Sequence, residues 1–565
     1  VVFENLYSDG ALLAAHADLE DAEQTVYIPE IHTTAKDQTT KINHTEANKT
    51  ATIVDTVSYT NLLPGREYTV SGTLMDKETG KTVLADGKEI TASTTFTPEK
   101  SEGSVDVIFI FDASIVAPKT VVAFETLTYK KIQIAVHADI EDKDQTVYIP
   151  TIRTSAKDNV TGINHTEADK EVTITDTVTY KGLEVGREYT VSGTLMNQRT
   201  GAKILVNGKP VTASTTFTAE EKEGSVEVVF TFDATALEGT TTVVFETLYT
   251  ENKEVAAHTD INDKGQTIYI PKIRTTAISD DTNDHVTKAD EKITLIDTVA
   301  FTSLEVGREY TVTGKLMDRA ANKPILVDGK EVTAQTTFVP ETTDGTVDVT
   351  FTFDGTGLED TVIVVFETLY TEKKEVAVHA DITDEEQSVY VPEIHTKAED
   401  ATTEINHTEA LPKAKIVDTV SYSSLLPGKE YTMTGTLMNK KTGEPILIDG
   451  NPVTSQVAFM AEKPEGSVKI VFLFDASVLA GTTVVAFESL TYKGVEVAVH
   501  ADIEDKDQTV YIPEIHTTAV GEDTKDHVTE AKKDVTIVDT VSFKSLEVGR
   551  EYTVKGVLMD KSAEK

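Results

Sequence analysis

The chain has 565 residues, with 52 Lys and Arg against 95 Asp and Glu, so its formal net charge at pH 7 is −43. This charge excludes the phosphate contacts of a nucleic-acid-binding protein and attraction to an anionic membrane surface. No apolar run is long enough to span a bilayer, and no Cys is present to form a disulfide. We expect about four domains of ordinary size, and we expect no cofactor or metal.

A repeat with a period of 121 residues organises the chain. The motif IPEIHTTA begins at Ile28 and returns, with small changes, at Ile149, Ile270, Val391 and Ile512. The first segment begins within a strand-like stretch and the last one stops abruptly, so we expect an excerpt of a longer protein. The predicted domains are the C-terminal part of one repeat at 1–29, four full repeats at 30–150, 151–271, 272–392 and 393–513, and the N-terminal part of another at 514–565.

Each repeat has the pattern of an all-β domain. Segments such as ATIVDTVSY (51–59) alternate with the period of two that is typical of a strand. LLPGREYTVSGTLM (62–75) is a turn followed by a strand, and FIFDAS is a strand that enters a short helical turn. Turn residues that tolerate positive φ follow at Asp86-Gly87, Asn207-Gly208, Asp328-Gly329 and Asp449-Gly450. About seven to nine strands per repeat predict tandem Ig-like β-sandwich domains, and the short joints between them predict an elongated, fairly stiff rod.

Two carboxylic acids in each repeat fall on the apolar side of their strands. Asp176 interrupts the apolar face of EVTITDTVTY, and Glu125 alternates in phase with Val121 and Leu127 in VVAFETL. A single Asp at such a place is often satisfied by backbone N–H groups. Two carboxyls facing one core would raise the pKa of one of them, which is common at functional sites. The equivalent residues are Asp55, Asp297, Asp418 and Asp539, and Glu4, Glu246, Glu367 and Glu488.

A His and a Gln follow each Glu at constant intervals. Gln145 shares a strand face with Val147 and Ile149 and is predicted to point inward, whereas strict alternation puts His137 on the more polar face unless a bulge turns it. The other members are His16, His258, His379 and His500, with Gln24, Gln266, Gln387 and Gln508. An invariant Thr opens each repeat and is predicted to face inward, although Thr is also simply a common strand residue. These residues are Thr33, Thr154, Thr275, Thr396 and Thr517.

Together these motifs resemble the Thr–Gln ester-bond domains (VaFE-type repeats) of Gram-positive surface adhesins. The resemblance rests on I-x-T-x-A, DTVSY, L-x-x-G-x-E-Y, VAFE or VVFE, and H-x-D-I-x-D-x-x-Q at fixed spacing in all repeats. It implies an intramolecular ester between the first and last strands, promoted by Asp, Glu and His. The implied sets are Thr33, Asp55, Glu125, His137 and Gln145; Thr154, Asp176, Glu246, His258 and Gln266; Thr275, Asp297, Glu367, His379 and Gln387; and Thr396, Asp418, Glu488, His500 and Gln508. Gln24 would pair with a Thr upstream and Thr517 with a Gln downstream.

The residue types suit such a reaction. A Thr hydroxyl needs a base, for which His137 is the natural candidate, as in a serine-hydrolase triad. The Asp55–Glu125 pair could donate a hydrogen bond to the Gln145 carbonyl while ammonia leaves. The reaction occurs once per repeat, so we do not expect an enzyme.

The resemblance implies a structural segment of an extracellular, cell-surface adhesin or fibre that is anchored to peptidoglycan. Its expected partners are the neighbouring repeats, with a host ligand bound outside this segment and without insertion into a membrane. Three alternatives stay open: repeats that bind a host protein or glycan, a calcium site at His137, Asp139, Asp142 and Asp144, and a Thr/His/Asp hydrolase. A second His set in polar loops is predicted to lie at the surface: His44, His165, His285, His407 and His527.

Overall fold

The computed structural model describes residues 1–562, and these residues form strands with only three short 3₁₀ turns. The 3₁₀ turns are Ala113–Ile115, Thr235–Leu237 and Ser477–Leu479. By its internal contacts the chain divides into two compact units. One comprises Val1–Lys272 with Thr302–Glu305 and Lys374–Ala377, and the other holds the remaining residues.

The fragment at 1–29 forms one hairpin, β1 (Glu4–Ser8) and β2 (Ala11–His16). The strands of repeat 1, residues 30–150, are β3 (Glu30–Asp37), β4 (Ala51–Thr60), β5 (Tyr68–Asp76), β6 (Leu84–Ala85), β7 (Lys88–Glu89), β8 (Thr91–Phe96), β9 (Gly103–Phe111), β10 (Thr120–Tyr129), β11 (Ile132–His137) and β12 (Thr146–Tyr148).

Repeat 2, residues 151–271, has the same order of strands: β13 (Thr151–Asp158), β14 (Val172–Lys181), β15 (Glu188–Asn197), β16 (Leu205–Val206), β17 (Lys209–Pro210), β18 (Thr212–Thr218), β19 (Glu223–Phe232), β20 (Thr240–Thr250), β21 (Lys253–His258) and β22 (Thr267–Ile270).

Repeat 3, residues 272–392, adds one short strand: β23 (Lys272–Ser279), β24 (Ile293–Thr302), β25 (Tyr310–Asp318), β26 (Lys323–Pro324), β27 (Leu326–Val327), β28 (Lys330–Glu331), β29 (Thr333–Phe338), β30 (Gly345–Phe353), β31 (Thr361–Thr371), β32 (Lys374–His379) and β33 (Ser388–Val391).

Repeat 4, residues 393–513, returns to ten strands: β34 (Glu393–Asp400), β35 (Ala414–Ser423), β36 (Glu430–Asn439), β37 (Leu447–Ile448), β38 (Asn451–Pro452), β39 (Thr454–Met460), β40 (Gly466–Phe474), β41 (Thr482–Tyr492), β42 (Val495–His500) and β43 (Thr509–Ile512). The last fragment pairs β44 (Glu514–Gly521) with β45 (Ile537–Lys544).

Two antiparallel sheets and one small two-stranded hairpin make up each full repeat. In repeat 1 the first sheet has the order β3-β4-β9 and the second has the order β11-β10-β5-β8, with β12 pairing the far end of β10. Apolar residues from both sheets, among them Ile53, Phe109 and Leu127, form one buried core. The prediction of tandem all-β sandwiches is therefore confirmed, whereas their arrangement as a rod stays a prediction.

The predicted hairpin turns are also confirmed. β6 and β7 meet at Asp86-Gly87, where φ is 49° and 75°. Both values lie in the left-handed region, which glycine and Asp or Asn enter most readily. The equivalent pairs Asn207-Gly208, Asp328-Gly329 and Asp449-Gly450 have the same positive φ angles.

Candidate functional site

The four polar positions of each repeat meet at the edge where its two sheets come together. In repeat 1, Thr33 lies on β3 and Asp55 on β4, while Glu125 lies on β10 of the other sheet. Gln145 precedes β12, and its carbonyl accepts a hydrogen bond from Ala123 of β10 at 3.1 Å. The neighbouring Asp144 carbonyl accepts from Ala35 of β3 at 2.9 Å. The segment before β12 therefore joins both sheets, and this places Gln145 between them.

The Thr, Asp, Glu and Gln side chains are buried as the strand alternation predicts. Asp55, Glu125 and Gln145 are each 0% exposed and Thr33 is 5% exposed. The period of two on β4 directs Ile53, Asp55 and Val57 to the same face, so the carboxyl lies within the core. Repeats 3 and 4 bury all four equivalents, and repeat 2 buries three and half-buries Thr154.

Gln145 contacts both a hydroxyl and a carboxyl. Its Nε2 donates to Thr33 Oγ1 at 3.0 Å and to Glu125 Oε2 at 2.7 Å. In repeat 3, Gln387 Nε2 donates to Thr275 Oγ1 at 3.3 Å and to Glu367 Oε2 at 2.6 Å. The two side chains whose atoms would form an ester are thus already adjacent.

Repeats 2 and 4 differ in the partner of the Thr hydroxyl. In repeat 4, Thr396 Oγ1 donates to Asp418 Oδ1 at 2.7 Å, while Gln508 Nε2 donates to Glu488 at 2.5 Å. In repeat 2, Gln266 Nε2 donates to Glu246 at 2.6 Å, and the buried Thr154 Oγ1 has no hydrogen-bond partner. The Thr hydroxyl can therefore face either the Gln amide or the Asp carboxyl.

The buried Glu has a raised pKa. Burial, together with the hydrogen bond and negative charge of Asp55, raises the pKa of Glu125 to about 10. Burial also raises the pKa of Asp55, although hydrogen bonds with Glu125 and Thr33 oppose this shift. Both Asp55 oxygens are buried, and the groups beside them that can donate a hydrogen bond are the Thr33 hydroxyl and a protonated Glu125.

In the other repeats the pKa of both buried carboxyls is raised in the same way. Burial and the neighbouring Asp raise the pKa of Glu246 and of Glu488 to about 10 and that of Glu367 well above its usual range. Burial raises the pKa of Asp297 to about 6, and those of Asp176 and Asp418 in the same direction.

The site also contains an unsatisfied amide oxygen. Oε1 of Gln145 is buried without a hydrogen-bond donor, as are the equivalent atoms of Gln266, Gln387 and Gln508. A side-chain amide can exchange its O and N positions by rotation. In the rotated form, the 2.7 Å contact with Glu125 becomes a hydrogen bond from the protonated carboxyl to the Gln carbonyl.

His137 lies beside Glu125, and the strand pairing explains its orientation. The two residues are directly opposite each other on β10 and β11, so their side chains share a face. The pairing shifts by one residue between Ala135 and Gln133, which leaves a bulge at Ile134 and breaks the alternation along β11. The prediction from strict alternation was therefore wrong, because it is Val136 that is exposed while His137 is half-buried.

An acidic partner of each His was missed as a site residue. His137 Nε2 contacts Asp142 Oδ2 at 2.9 Å, and its Nδ1 contacts the Ile31 carbonyl at 3.1 Å. The same His–Asp contact is 2.8 to 3.0 Å in the other full repeats and 2.7 Å in the first fragment. An Asp five residues after His in every copy, within the motif H-x-D-I-x-D-x-x-Q, was the available signal. The residues are Asp21, Asp142, Asp263, Asp384 and Asp505.

The two fragments contain parts of the same arrangement. Gln24 Nε2 donates to Glu4 Oε2 at 2.5 Å, and His16 pairs with Glu4 across β1 and β2. On β44 and β45, Asp539 is opposite Ala519, two residues after Thr517. The first fragment thus contains the Glu, His and Gln of a site, and the last fragment contains the Thr and Asp.

The side chain of Phe109 lies next to the site. A Cβ on Gly72 would lie 2.5 Å from the Phe109 ring, and Gly72 is the cross-strand neighbour of Glu125. The same Gly–Phe contact returns at Gly193, Gly314 and Gly435. Because the glycine has no side chain, the Phe ring can cover this part of the site, and this helps to exclude water.

The prediction that the second His set lies at the surface holds for His527 and is wrong for His44, His165 and His407. His44 and His165 are 0% exposed and His407 is 9% exposed, whereas His285 is half-buried and His527 is exposed. His44 stacks on Tyr148 at 5.0 Å and contacts Tyr189 of repeat 2. His44 is therefore covered partly by the adjacent repeat, which the composition of a single loop does not indicate.

Within residues 1–562, no group of three or more His, Asp or Glu side chains is placed to hold a metal ion. Within the same residues, no helix has the length and apolar character needed to cross a membrane.

One family model matches the whole length of the chain. Its description is "T-Q ester bond containing domain", and it matches residues 1–28, 29–149, 150–270, 271–391, 392–512 and 513–565. No curated protein matches the chain.

Solved structures with similar parts include a bacterial adhesin from Mobiluncus mulieris that contains intramolecular disulfide, isopeptide and ester bond cross-links. It is 15% identical, and the match covers 48% of this chain and 97% of that one with a TM-score of 0.19. Elastase-activated alpha-2-macroglobulin from Escherichia coli is 8% identical over 92% of this chain and 51% of its own, with a TM-score of 0.17. A family 2 glycosyl hydrolase from Bacteroides cellulosilyticus is 7% identical over 80% and 92%, also with a TM-score of 0.17.

Proposed function

The chain belongs to the family of T-Q ester bond containing domains, and on this premise we propose that each full repeat joins its Thr to its Gln through an ester. The bonds would link Thr33 to Gln145, Thr154 to Gln266, Thr275 to Gln387 and Thr396 to Gln508. The observation that carries the proposal is the buried contact of Gln145 with both Thr33, at 3.0 Å, and Glu125, at 2.7 Å.

The reaction is an acyl transfer from nitrogen to oxygen. Thr33 Oγ1 attacks Cδ of Gln145, and the hydroxyl proton moves to a neighbouring base. The C–O bond forms, the C–N bond breaks, and the amide nitrogen takes up that proton and leaves as ammonia. Because folding brings the two groups together in a buried place, the attack is intramolecular and water is excluded.

The acid and the base follow from the two carboxyls. We assign the base to the ionised Asp, because Thr396 already donates to Asp418 at 2.7 Å. We assign the acid to Glu125, whose raised pKa keeps a proton available to stabilise the oxyanion on Gln145. This replaces His137 as the direct base. His137 instead serves as a positioning residue beside the carboxyls, since its two ring nitrogens are held by the Ile31 carbonyl and by Asp142.

The function of the ester is structural. It closes a loop of 112 residues in repeat 1, and closing a loop of this size stabilises the folded state by about 4–5 kcal/mol in the chain-entropy model. It also joins the first strand to the segment before the last strand, so tension along the chain would pass through a covalent bond. Without any Cys, the protein would use esters where other secreted proteins use disulfides.

We therefore propose that the chain is the repeat region of an extracellular adhesin or fibre on a Gram-positive cell surface. In this role it serves as a stalk with a peptidoglycan anchor, and a host ligand is bound elsewhere in the protein. The family assignment and the acidic, highly hydrated composition support this location.

Intact mass spectrometry of the purified chain tests the ester. We expect the mass to fall by four molecules of ammonia relative to the sequence, one for each full repeat. Thr33→Ala should reduce the loss to three, because it removes the nucleophile of repeat 1. The control is Thr34→Ala, which changes the adjacent exposed Thr and should keep the loss at four. A loss of four in Thr33→Ala would contradict the proposal.

A further inference from the structure

The junctions between consecutive repeats are built from two different sets of residues. At the junction of repeats 1 and 2, the side chain of His44 is fully buried and stacks on Tyr148 at 5.0 Å. Its Nδ1–H donates to Asn43 Oδ1 at 3.0 Å, so its Nε2 accepts from the Tyr189 hydroxyl at 2.7 Å. That hydroxyl in turn accepts from the backbone N–H of Glu184 at 2.9 Å.

Arg187 of repeat 2 completes this junction. Its guanidinium donates to Glu251 at 2.7 Å and to Glu184 at 2.8 Å within its own repeat. It also donates to Asn43 of repeat 1 at 3.2 Å. Burial and the charge of Arg187 lower the pKa of His44 to about 3, so the imidazole is neutral. We call this arrangement of a neutral His, a Tyr and an Arg the His-type junction.

Repeat 4 and the fragment at 514–565 form a His-type junction as well. His407 Nε2 accepts from the Tyr552 hydroxyl at 2.7 Å, with the rings 5.7 Å apart. Arg550 donates to Asn406 at 2.8 Å and to Glu547 at 2.9 Å.

The junction of repeats 3 and 4 has no equivalent His. Val286 occupies that place, is fully buried and packs within the core of repeat 4. Asp284 instead accepts a hydrogen bond from the Tyr492 hydroxyl at 2.6 Å and pairs with Lys493 at 2.7 Å and Lys429 at 3.4 Å. Although burial opposes the shift, these groups hold the pKa of Asp284 well below its usual range. We call this the Asp-type junction.

A second ion pair belongs to the Asp-type junction. Lys288 of repeat 3 contacts Glu496 of repeat 4 at 2.7 Å. The equivalent residues at the junction of repeats 1 and 2 are both acidic, Glu46 and Glu254. The negative charge of Glu254 contributes, after burial, to a raised pKa of Glu46.

The two sides of each junction change together along the sequence. Loops with Asn-His at 43–44, 164–165 and 406–407 precede repeats that carry Arg187, Arg308 and Arg550. The Asp-His-Val loop at 284–286 precedes the repeat that carries Lys429, Tyr492 and Lys493. At the positions of Lys429, Tyr492 and Lys493, repeat 1 also carries a cation, a Tyr and a Lys. These residues are Arg66, Tyr129 and Lys130.

Exchanging the two sides would leave charges unpaired or opposed. Lys429 and Lys493 facing Asn43 and His44 would lose the carboxylate that neutralises them. Asp284 facing Glu184 and Glu251 would bring like charges together. Unpaired or like charges at a partly buried contact are strongly unfavourable, and they are a common source of binding specificity.

We propose that the ends of the repeats are two mutually exclusive docking surfaces. An end with the Asp-His-Val loop accepts only a repeat that carries a cation, Tyr and Lys at the positions of Lys429, Tyr492 and Lys493. An end with the Asn-His loop accepts only a repeat that carries the Arg187 set. The junction residues thus specify which repeat can follow which.

Exchange of a repeat within the full chain tests this proposal. One chimera replaces residues 393–513 by residues 30–150, which keeps the upstream cation, Tyr and Lys and the downstream Asn-His loop. The other replaces the same residues by 151–271, which keeps the downstream loop but puts the Arg187 set against Asp284.

The chain has no Cys, so spin labels can be attached at Lys330→Cys and Asn451→Cys, which are exposed residues of two short hairpins. In the chimeras the second label replaces Lys88 or Lys209, the equivalent exposed residues.

Pulsed electron paramagnetic resonance then measures the distance between the two spin labels. We expect one narrow distribution for the native chain and for the chimera with repeat 1, and loss of that narrow distribution for the chimera with repeat 2. A narrow distribution at the native distance with repeat 2 would overturn the proposal. A broad distribution with repeat 1 would overturn it as well.

A point variant keeps the test valid if a chimera does not fold. Lys493→Glu places a second negative charge beside Asp284 and should abolish the narrow distance distribution. The control is Lys441→Glu, the same charge change at an exposed residue of the same repeat, which should keep the distribution narrow. Equal, narrow distributions in both variants would contradict the proposal. None of these outcomes depends on ester formation, which mass spectrometry reports separately.

Discussion

At each site an Asp and a Glu are buried side by side, and their neighbours act differently on their pKa values. The Glu has a raised pKa because of burial and because of the adjacent Asp, whereas hydrogen bonds with Glu and Thr partly oppose the same effect on the Asp. In repeat 3 the pKa of Asp297 is about 6, while that of Glu367 lies well above its usual range. In the proposed reaction the protonated Glu is the acid and the Asp is the base, which is the division that acyl transfer needs.

Replacing the base should stop the reaction in one repeat. Asp55→Asn keeps the size of the side chain but removes the acceptor for the Thr33 proton. We expect ester formation in repeat 1 to slow by about 10²–10⁴-fold, the usual effect of losing a general base. Intact mass measured over time after refolding would follow it. The matched control is Asp106→Asn, an exposed residue of the same repeat, which should react at the normal rate. An unchanged rate in Asp55→Asn would rule out this assignment.

The protonated Glu also predicts how stability depends on pH before the esters form. Glu125 has a pKa of about 10 in the folded state and about 4.3 when unfolded. Folding therefore takes up a proton between these values, and stability falls as pH rises through this window by about 1.4 kcal/mol per pH unit for each such Glu.

The variant for this measurement carries Thr→Ala at 33, 154, 275 and 396, so that no ester can form. Its midpoint of urea unfolding should be lower at pH 8 than at pH 5. The control adds Glu→Gln at 125, 246, 367 and 488, which removes the titrating groups and should make the midpoint less dependent on pH. A midpoint that rises with pH in the first variant would contradict the raised pKa.

At the scale of strands, the site depends on the close approach of two sheets. Gly72 on β5 lies opposite Glu125 on β10, and the Phe109 ring of β9 fills the space that a side chain at Gly72 would take. The bulge at Ile134 and the loop that ends at Gln145 then bring the His and Gln to the same edge. Backbone pairing thus holds the reacting groups in place.

A methyl group at position 72 should disturb this arrangement. Gly72→Ala puts a Cβ 2.5 Å from Cζ of Phe109, so the ring or the strand must move. We expect a loss of stability of about 1–3 kcal/mol, as for other overpacked cores, and slower ester formation in repeat 1. The double variant Gly72→Ala with Phe109→Leu removes the clash and should recover part of both. Mass spectrometry and urea unfolding measure the two effects, and equal behaviour of the single and double variants would contradict the role of the ring.

Strand periodicity predicted the inward Asp55, Glu125 and Gln145 because alternation on a regular strand determines which face a side chain occupies. It did not predict the orientation of His137, because a bulge inserts one residue and reverses the alternation beyond it. The burial of His44 was also missed, since its cover comes from Tyr189, which is 145 residues away in sequence. Contacts made by the next repeat are not visible in the pattern of one loop.

At the scale of the whole chain, each proposed ester spans almost the entire repeat. Gln145 and Thr154 are close in sequence, so the end of one crosslink is followed at once by the start of the next. Tension that enters repeat 2 at its first strand would leave through Gln266 without stretching the strands between them. A chain with a net charge of −43 and no disulfide would thereby resist extension even where its noncovalent structure is weak.

Single-molecule stretching of the full chain tests this consequence. With all four esters formed, we expect pulling to release no long segment from repeats 1 to 4. Thr275→Ala removes the ester of repeat 3 and should add one unfolding event. The 112 residues between Thr275 and Gln387 would extend the contour by roughly 370–400 Å at about 3.3–3.6 Å per residue. The control is Thr276→Ala on the opposite, exposed face of the same strand, which should behave like the native chain because its ester still forms. Extension of that length in the native chain or in the control would mean that the esters do not carry the tension.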